Sequence, residues 1–233
     1  MHKGRYIFDA LYGHMKLDWP EDIWDIMRCP EFQRLREVRM CNINSLCLPG
    51  GANINRYEHS LGCAYLAIQY LEKWGALVSA EAQRALILAA LLHDVGSAPF
   101  GHSVQYVLDP EGFKHESLYE MLNPKADALA PSFVYRNALT EPIYFGEARR
   151  LTKVLSDTDL RLISAYVAGE GAYGPLINGT LDLDNLDNVF RLAYHIGLVR
   201  SGETPLKLAQ ALRVTDSGLV IEDDAVPLVE DWY

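Results

Sequence analysis

A mostly α-helical fold with one small β-hairpin near the C-terminus is what this chain of 233 residues predicts. Three patterns point to it. Apolar residues recur at helical spacing through two long stretches, 56–74 and 183–198. Residues 85–92, Ala85-Leu86-Ile87-Leu88-Ala89-Ala90-Leu91-Leu92, form an unbroken apolar run that suits a central buried helix. Strand-like patterning is confined to Arg213–Ile221, around the turn Asp216-Ser217-Gly218, and nothing alternates in the βαβ manner.

Taken in order, residues 20–39 read as two short helices, Pro20 to Arg28 and Glu31 to Arg39. They are broken at Pro30, which can begin a helix but hardly continue one. Residues 41–55 contain Pro49-Gly50-Gly51 and read as a turn-rich connection. From Arg56 to Trp74 a helix carries Leu61, Ala64, Tyr65, Ile68, Leu71 and Trp74 at its apolar positions. Ser79, followed by Glu81, caps the next helix, which should stop near Gly96. Phe100 to Leu108 and Lys114 to Leu122 read as two short helices. Residues 123–146 hold Pro124, Pro131 and Pro142 and read as an irregular excursion. Helical patterning returns over Glu147 to Leu155 and Asp157 to Ala168. It continues in Leu183 to Leu198, whose apolar face is Leu183, Leu186, Val189, Phe190, Ala193 and Ile196. Pro205 to Leu212 offers one more helix. No repeat is visible, and the chain reads as a single domain over 1–233.

Composition bounds the chemistry. Hydrophobic residues make up 49% and charged residues 22%, with a net charge of -10. That balance argues against a nucleic-acid coat or an anionic membrane surface as the main partner, but not against a small anionic substrate held by a metal. No segment approaches the roughly 18 consecutive apolar residues of a membrane span. Met1-His2-Lys3-Gly4-Arg5 is followed by no apolar run of signal-peptide length. Cys29, Cys41, Cys47 and Cys63 lack Cys-x-x-Cys spacing. A reducing cytoplasm is the expected setting.

The chemistry-bearing residues are His59, the adjacent pair His93-Asp94, and Asp184. Each of the three falls on its own predicted helix. Two imidazoles and two carboxylates can enclose a divalent cation, and such a site usually activates water. Neighbouring residues on a helix point roughly 100° apart. His93 and Asp94 therefore reach one ion only near a helix end, which Gly96 supplies. A buried histidine paired with an aspartate is the ordinary explanation of a His-Asp dipeptide. The density of further polar groups nearby, His102, His115 and Glu116, favours the metal site. Asp187, Arg191 and His195 are spaced by four and read as an ion-pair ladder along one helix.

The same residues resemble the HD-domain metal-dependent phosphohydrolase superfamily, whose pattern is His … His-Asp … Asp. Within it the resemblance is to the deoxynucleoside-triphosphate triphosphohydrolase branch, which includes bacterial dGTPases and the vertebrate sterile-alpha-motif/HD dNTPase. Asp9-Ala10-Leu11-Tyr12-Gly13-His14 is similar to that branch's Asp-Pro-x-His-Gly opening. Pro30-Glu31-Phe32-Gln33-Arg34-Leu35-Arg36 is similar to its Pro-x-Phe-Gln-Arg-Leu-Arg helix. Residues 55–62 and 93–102 resemble its two central motifs, His115-Glu116 a later His-Glu pair, and Asp184 the start of its final ligand motif.

The resemblance implies an HD-domain helical fold and a single divalent ion (Mn, Fe, Co, Ni, Zn or Mg) on His59, His93, Asp94 and Asp184. It implies His115 as general acid with Glu116 orienting it, and Arg56 and His102 on substrate phosphate oxygens. The implied partner is a small phosphate compound, in particular a nucleotide. Relatives commonly assemble, so a homo-oligomer is implied as well.

The sequence departs from that branch where the sugar is read. The branch's final motif is Asp-x-x-Asp-Tyr-x-x-Arg-Asp, but Asn188 stands at the tyrosine and Leu192 at the last aspartate. A leucine cannot accept a hydrogen bond. Met40 replaces a glutamine that faces the sugar, Ser97 replaces a histidine, and Gln105 an aspartate. Residues 229–233 look like the start of a further helix carried by longer relatives, so a short or truncated family member is expected. Two other readings fit the residues: an HD-domain di-iron oxygenase, with His102 and His115 as extra ligands, and a catalytically silent nucleotide-binding HD module.

Overall fold

The computed structural model describes residues 5–40, 53–97, 118–122, 151–216 and 218–230. The fold is mostly helical, with two small antiparallel strand pairs. One pair is the expected C-terminal hairpin. The other, β1 (Tyr6–Asp9) with β2 (Gly13–Lys16), has no counterpart in the sequence reading. It closes on Asp9, whose Oδ1 accepts from the backbone N–H groups of Leu11 and Tyr12 and so makes the turn itself.

α1 (Ile23–Met27) and α2 (Pro30–Gln33) follow, shorter than the sequence predicts. Pro30 opens α2 as expected, and the chain then tightens into a 3-10 turn over Arg34–Glu37 instead of continuing as α-helix. α3 (Arg56–Trp74) has the predicted bounds. Its N-cap is Asn55, whose side chain accepts from Glu58 N–H and donates back to the Glu58 carboxylate at 3.0 Å, a reciprocal pairing that fixes where the helix begins. α4 (Ala80–Leu92) starts on Ser79, as expected, and ends at Leu92 rather than nearer Gly96. Every residue from Ala85 to Leu92 is buried. Each of the leucines and Ile87 contributes about 1.5–3 kcal/mol by leaving water, and this helix is the centre of the molecule. It packs on α3 to one side and on α7 to the other.

α5 (Leu118–Leu122), α6 (Leu151–Val154) and α7 (Asp157–Val167) come next. α7 opens with a full capping box between Ser156 and Asp159. α8 (Leu183–His195) ends three residues before the predicted Leu198. Gly197, at a φ of +80°, takes the left-handed position, and Leu198 N–H returns to the Ala193 carbonyl at 2.8 Å. That closure terminates the helix. α9 (Glu203–Ala211), the hairpin β3 (Leu212–Thr215) and β4 (Gly218–Ile221), and α10 (Val226–Val229) complete the described chain. No helix among the described residues is long and apolar enough to cross a membrane.

α8 and α9 both pack on α3. The α3–α8 approach depends on Gly62. A Cβ there would lie 1.9 Å from Asp187 Oδ2 and 2.5 Å from Arg191 Nη2, both fully buried. Asp187 and Arg191 do form the expected i, i+4 pair, with bonds of 2.8 and 3.0 Å. The pair is an interior one, however, not a solvated ladder, and His195 Nε2 has no hydrogen-bond partner among the described residues.

Two outcomes follow from this packing. Gly62→Ala should cost about 3–5 kcal/mol in urea unfolding, because it splits a buried ion pair. Gly75→Ala, where the nearest atoms are at an ordinary 3.7 Å, should change stability by no more than about 1 kcal/mol. At the start of α7, burial alone would raise the Asp159 carboxyl. The Ser156 hydroxyl and N–H and the Arg84 guanidinium outweigh burial and hold it below its ordinary value of 3.8. A depressed carboxyl stabilises the fold above its unfolded value, and the contribution is lost as pH falls through the folded one. Asp159→Asn should therefore lower stability by about 0.5–1 kcal/mol at neutral pH, with the gap closing in acid melts below 3.8.

Candidate metal centre

α3, α4 and α8 each deliver one part of the site. His59 sits one turn into α3, on the same face as Gly62 and Cys63. His93 is the C-cap of α4, and Asp94 lies in the tight turn that follows, closed by Val95 N–H to Leu92 C=O and Ser97 N–H to Asp94 C=O. Ending the helix at Leu92 is what lets two adjacent side chains converge. Asp184 is in the first turn of α8, whose start is fixed by Asp182. That side chain accepts from Asn185 N–H at 2.7 Å and Gly179 N–H at 2.6 Å, and burial pushes its carboxyl up to about 6.

The structure brings His59, His93, Asp94 and Asp184 together. His59 Nε2 lies 3.3 Å from His93 Nε2, 2.8 Å from Asp184 Oδ1 and 3.8 Å from Asp94 Oδ2. His93 Nε2 lies 3.6 Å from both Asp94 Oδ2 and Asp184 Oδ1. Around a cation with ligands at about 2.1 Å, neighbouring donors sit about 3.0 Å apart in an octahedron and about 3.4 Å apart in a tetrahedron. The five separations bracket those values.

The outer hydrogen bonds fix which atoms point inward. His59 Nδ1 faces Asp187 Oδ1 at 2.7 Å and His93 Nδ1 faces the Ala90 carbonyl at 2.9 Å. Both acceptors demand an N–H, which leaves Nε2 of each ring as the ligating nitrogen. Asp94 Oδ1 is taken by Arg56 Nη1 and by the Ser97 hydroxyl at 2.8 Å. Its Oδ2 is buried and has no hydrogen-bond partner among the described residues. An imidazolium at His59, bridging Asp184 and Asp187, would satisfy that ring alone. It explains neither two Nε2 atoms in contact nor the orphaned oxygen. A divalent cation explains both.

Strong fields act on every member of the cluster. Burial opposes a charged imidazole at His59 and His93, yet Cys63, Asp184 and Asp187 around the first and Asp94 and Asp184 around the second outweigh it and hold both rings above the ordinary value. Burial likewise works against ionised Asp94 and Asp184. Arg56, His93 and His59 hold the first well below the usual range, and the two histidines do the same for the second. With both rings neutral, as ligation through Nε2 requires, Asp9, Asp94, Asp184 and Asp187 outnumber by two charges the guanidinium groups that pair with them among the described residues, Arg56 and Arg191. Either two ring protons or one divalent ion balances that excess.

Cys63 also stands close, and no sequence signal beyond its i+4 spacing from His59 picks it out. One ligand atom from each of His59, Cys63, His93 and Asp184 lies within 4.8 Å of the others. Asp94 is the better fourth donor. Asp94 offers an oxygen with no hydrogen-bond partner among the described residues, whereas the Cys63 thiol, pushed up by burial, must lose its proton to ligate. Its sulfur lies 3.6 and 3.8 Å from the two ring nitrogens of His59, alongside the ring and not in line with a lone pair.

Arg56 is expected on substrate phosphate, but here it is buried, with Nη1 on Asp94 and Nη2 3.4 Å from the Met40 carbonyl. Its placement braces Asp94. Arg34 acts on the same turn from outside, its Nη2 donating to the Val95 carbonyl at 2.8 Å and to that of Ser97. His102, His115 and Glu116 lie outside the described residues. Asp184, with 36% of its side chain exposed against 2% for His59 and Asp94, is the open side of the cluster.

The chain is similar to several known proteins. Residues 56–127 match the HD domain family. The deoxynucleoside triphosphate triphosphohydrolase SAMHD1 homolog of Dictyostelium discoideum is 26% identical over 212 residues, covering 83% of this chain and 37% of its own length. The uncharacterized protein YwfO of Bacillus subtilis is 27% identical over 222 residues, covering 90% and 45%. A phosphohydrolase from Bacteroides thetaiotaomicron superposes with a TM-score of 0.68 at 23% identity, over 98% of this chain and 51% of that one. A hypothetical protein from Aquifex aeolicus does so with a TM-score of 0.72 at 25% identity, over 98% and 56%. The chain thus spans less than half the length of these two curated relatives. The HD-domain match covers residues 56–127, while the similarity to these relatives and structures runs over most of the chain.

Proposed function

We propose that this chain is a metal-dependent phosphohydrolase acting on a nucleotide or a related phosphate ester. Asp94 Oδ2 carries the reading: a buried carboxylate oxygen with no hydrogen-bond partner among the described residues, 3.6 and 3.8 Å from two imidazole nitrogens. His59, His93, Asp94 and Asp184 hold one divalent ion, and two imidazoles with two carboxylates suit first-row metals from Mn to Zn. Such an ion supplies a Lewis acid for a phosphoryl oxygen and lowers the pKa of water beside it.

The residues divide the remaining work. The buried trio His59, His93 and Asp94 excludes water from the back of the site, and Asp184 leaves the front open to a phosphate. Arg56 and Ser97 hold Asp94 Oδ1, so that Oδ2 stays turned inward. By resemblance, His102 contacts a phosphate oxygen, and His115, oriented by Glu116, donates a proton to the leaving oxygen. The relatives named as deoxynucleoside triphosphate triphosphohydrolases support a nucleotide substrate. Met40, Asn188 and Leu192 do not offer that branch's sugar contacts, so the proposed substrate class is not restricted to deoxynucleotides. The setting proposed is the cytoplasm, with residues 1–233 acting as one HD unit and self-association between copies.

A product assay tests this. Purified protein is loaded with Mn²⁺ and incubated with ribo- and deoxynucleoside mono-, di- and triphosphates, and products are separated by ion exchange. Wild type should hold one metal per chain and release phosphate, pyrophosphate or triphosphate. Asp94→Asn should lower turnover by about 10³-fold or more, since it removes a ligand to the ion that supplies several kcal/mol of transition-state stabilisation. Equal turnover in the two proteins would overturn the site, and two irons per chain would favour the oxygenase reading.

A further inference from the structure

His59 is tied to the N-terminal hairpin through a chain of buried charged groups. Its Nδ1 faces Asp187 Oδ1 at 2.7 Å. Asp187 in turn accepts from Arg191 Nε at 2.8 Å on that same oxygen and from Nη2 at 3.0 Å on the other. The third guanidinium nitrogen, Nη1, donates to Asp9 Oδ2 at 2.8 Å. Asp9 spends its Oδ1 on the β1–β2 turn. Asp187 and Arg191 are fully buried and Asp9 nearly so. An isolated ion pair at such depth is weak support for stability, because desolvating the charges offsets their attraction. Its persistence calls for another role.

We infer that Asp187 is a positioning residue for His59, aimed by Arg191, and that Asp9 extends this support from the β1–β2 hairpin to the metal centre. The inference rests on the metal reading above. Asp187 accepts the Nδ1 proton and so presents Nε2 as the ligating nitrogen, while the two N–H bonds from Arg191 fix the carboxylate plane. Arg191 can hold this orientation because Asp9 anchors its remaining nitrogen. Gly62 leaves the space in which the Asp187–Arg191 pair meets α3. His93 has a separate and simpler support, the Ala90 carbonyl of its own helix. The two imidazoles are therefore positioned independently, and that independence can be measured.

The experiment uses the whole chain loaded with Co²⁺, whose paramagnetism shifts the ring N–H protons of ligating histidines clear of the other proton signals. In water, wild type should show two exchangeable shifted signals, one from each Nδ1–H. Asp187→Asn should displace one or lose it to solvent exchange, leave the other in place, and weaken Co²⁺ binding about 10–100-fold by calorimetry. Asp9→Asn keeps an oxygen for the β1–β2 turn and alters only the face toward Arg191. It should perturb the same signal and weaken binding by a smaller factor, and it carries the test if Asp187→Asn does not fold. Wild-type signals and affinity in folded variants would overturn the positioning role alone. Equal movement of both signals would reduce the chain to a general structural support and overturn it too. Failure of wild type to take up Co²⁺ would overturn the metal reading, and this inference with it.

Discussion

Two imidazole nitrogens 3.3 Å apart, beside a buried carboxylate oxygen with no hydrogen-bond partner among the described residues, are the constraint around which this molecule is arranged. Lone pairs do not converge in a protein interior without something to receive them. The three helices that carry them are held in place by groups that face away from the centre. Arg56 and Ser97 take the outer oxygen of Asp94, Asp187 takes the outer nitrogen of His59, and the Ala90 carbonyl takes that of His93. What is left over points inward and, with both rings neutral, carries excess negative charge. Such a cluster could hold a metal ion.

The fold serves that arrangement in two ways. From Ala85 to Leu92 α4 is apolar on all sides, which fixes its depth and places its C-terminal end, with His93 and Asp94, inside the molecule. α8 is amphipathic, yet its buried stripe mixes Leu183, Leu186 and Phe190 with Asp187 and Arg191. The apolar residues hold the helix on the core while the charged pair reaches the back of His59. The same helix thus contributes a ligand candidate on its first turn, a support on its second, and a tie to the N-terminal hairpin on its third.

Much of this is legible in the residues, and what is not has physical reasons. α3 could be placed by its periodic apolar pattern, and α4 by its cap, Ser79, and the unbroken apolar run that follows. The need for a helix end at His93-Asp94 could be argued from the angle between adjacent residues. The N-terminal hairpin escaped because its strands are four residues each, and the turn is set by Asp9 instead of by an Asn-Gly or Asp-Gly pair. Asp187 and Arg191 read as an ion-pair ladder along one helix, since spacing gives the pairing of two residues but not the face they occupy. The clue was their phase, shared with Leu183, Leu186 and Phe190. The contact of Arg56 with Asp94 was not legible, since it depends on how α3 meets the turn after α4.

The claim that this cluster is a metal site is tested most directly by thermal unfolding of the intact protein, with no substrate present. Protein stripped by a chelator is compared with the same protein titrated with Mn²⁺, beside Asp94→Asn. A cation that neutralises the cluster stabilises the folded state by mass action, about 2.7 kcal/mol at a free concentration one hundred times Kd. The wild-type Tm should climb with the titration and fall back on chelation, while Asp94→Asn stays flat. A wild-type Tm indifferent to both metal and chelator would contradict the account.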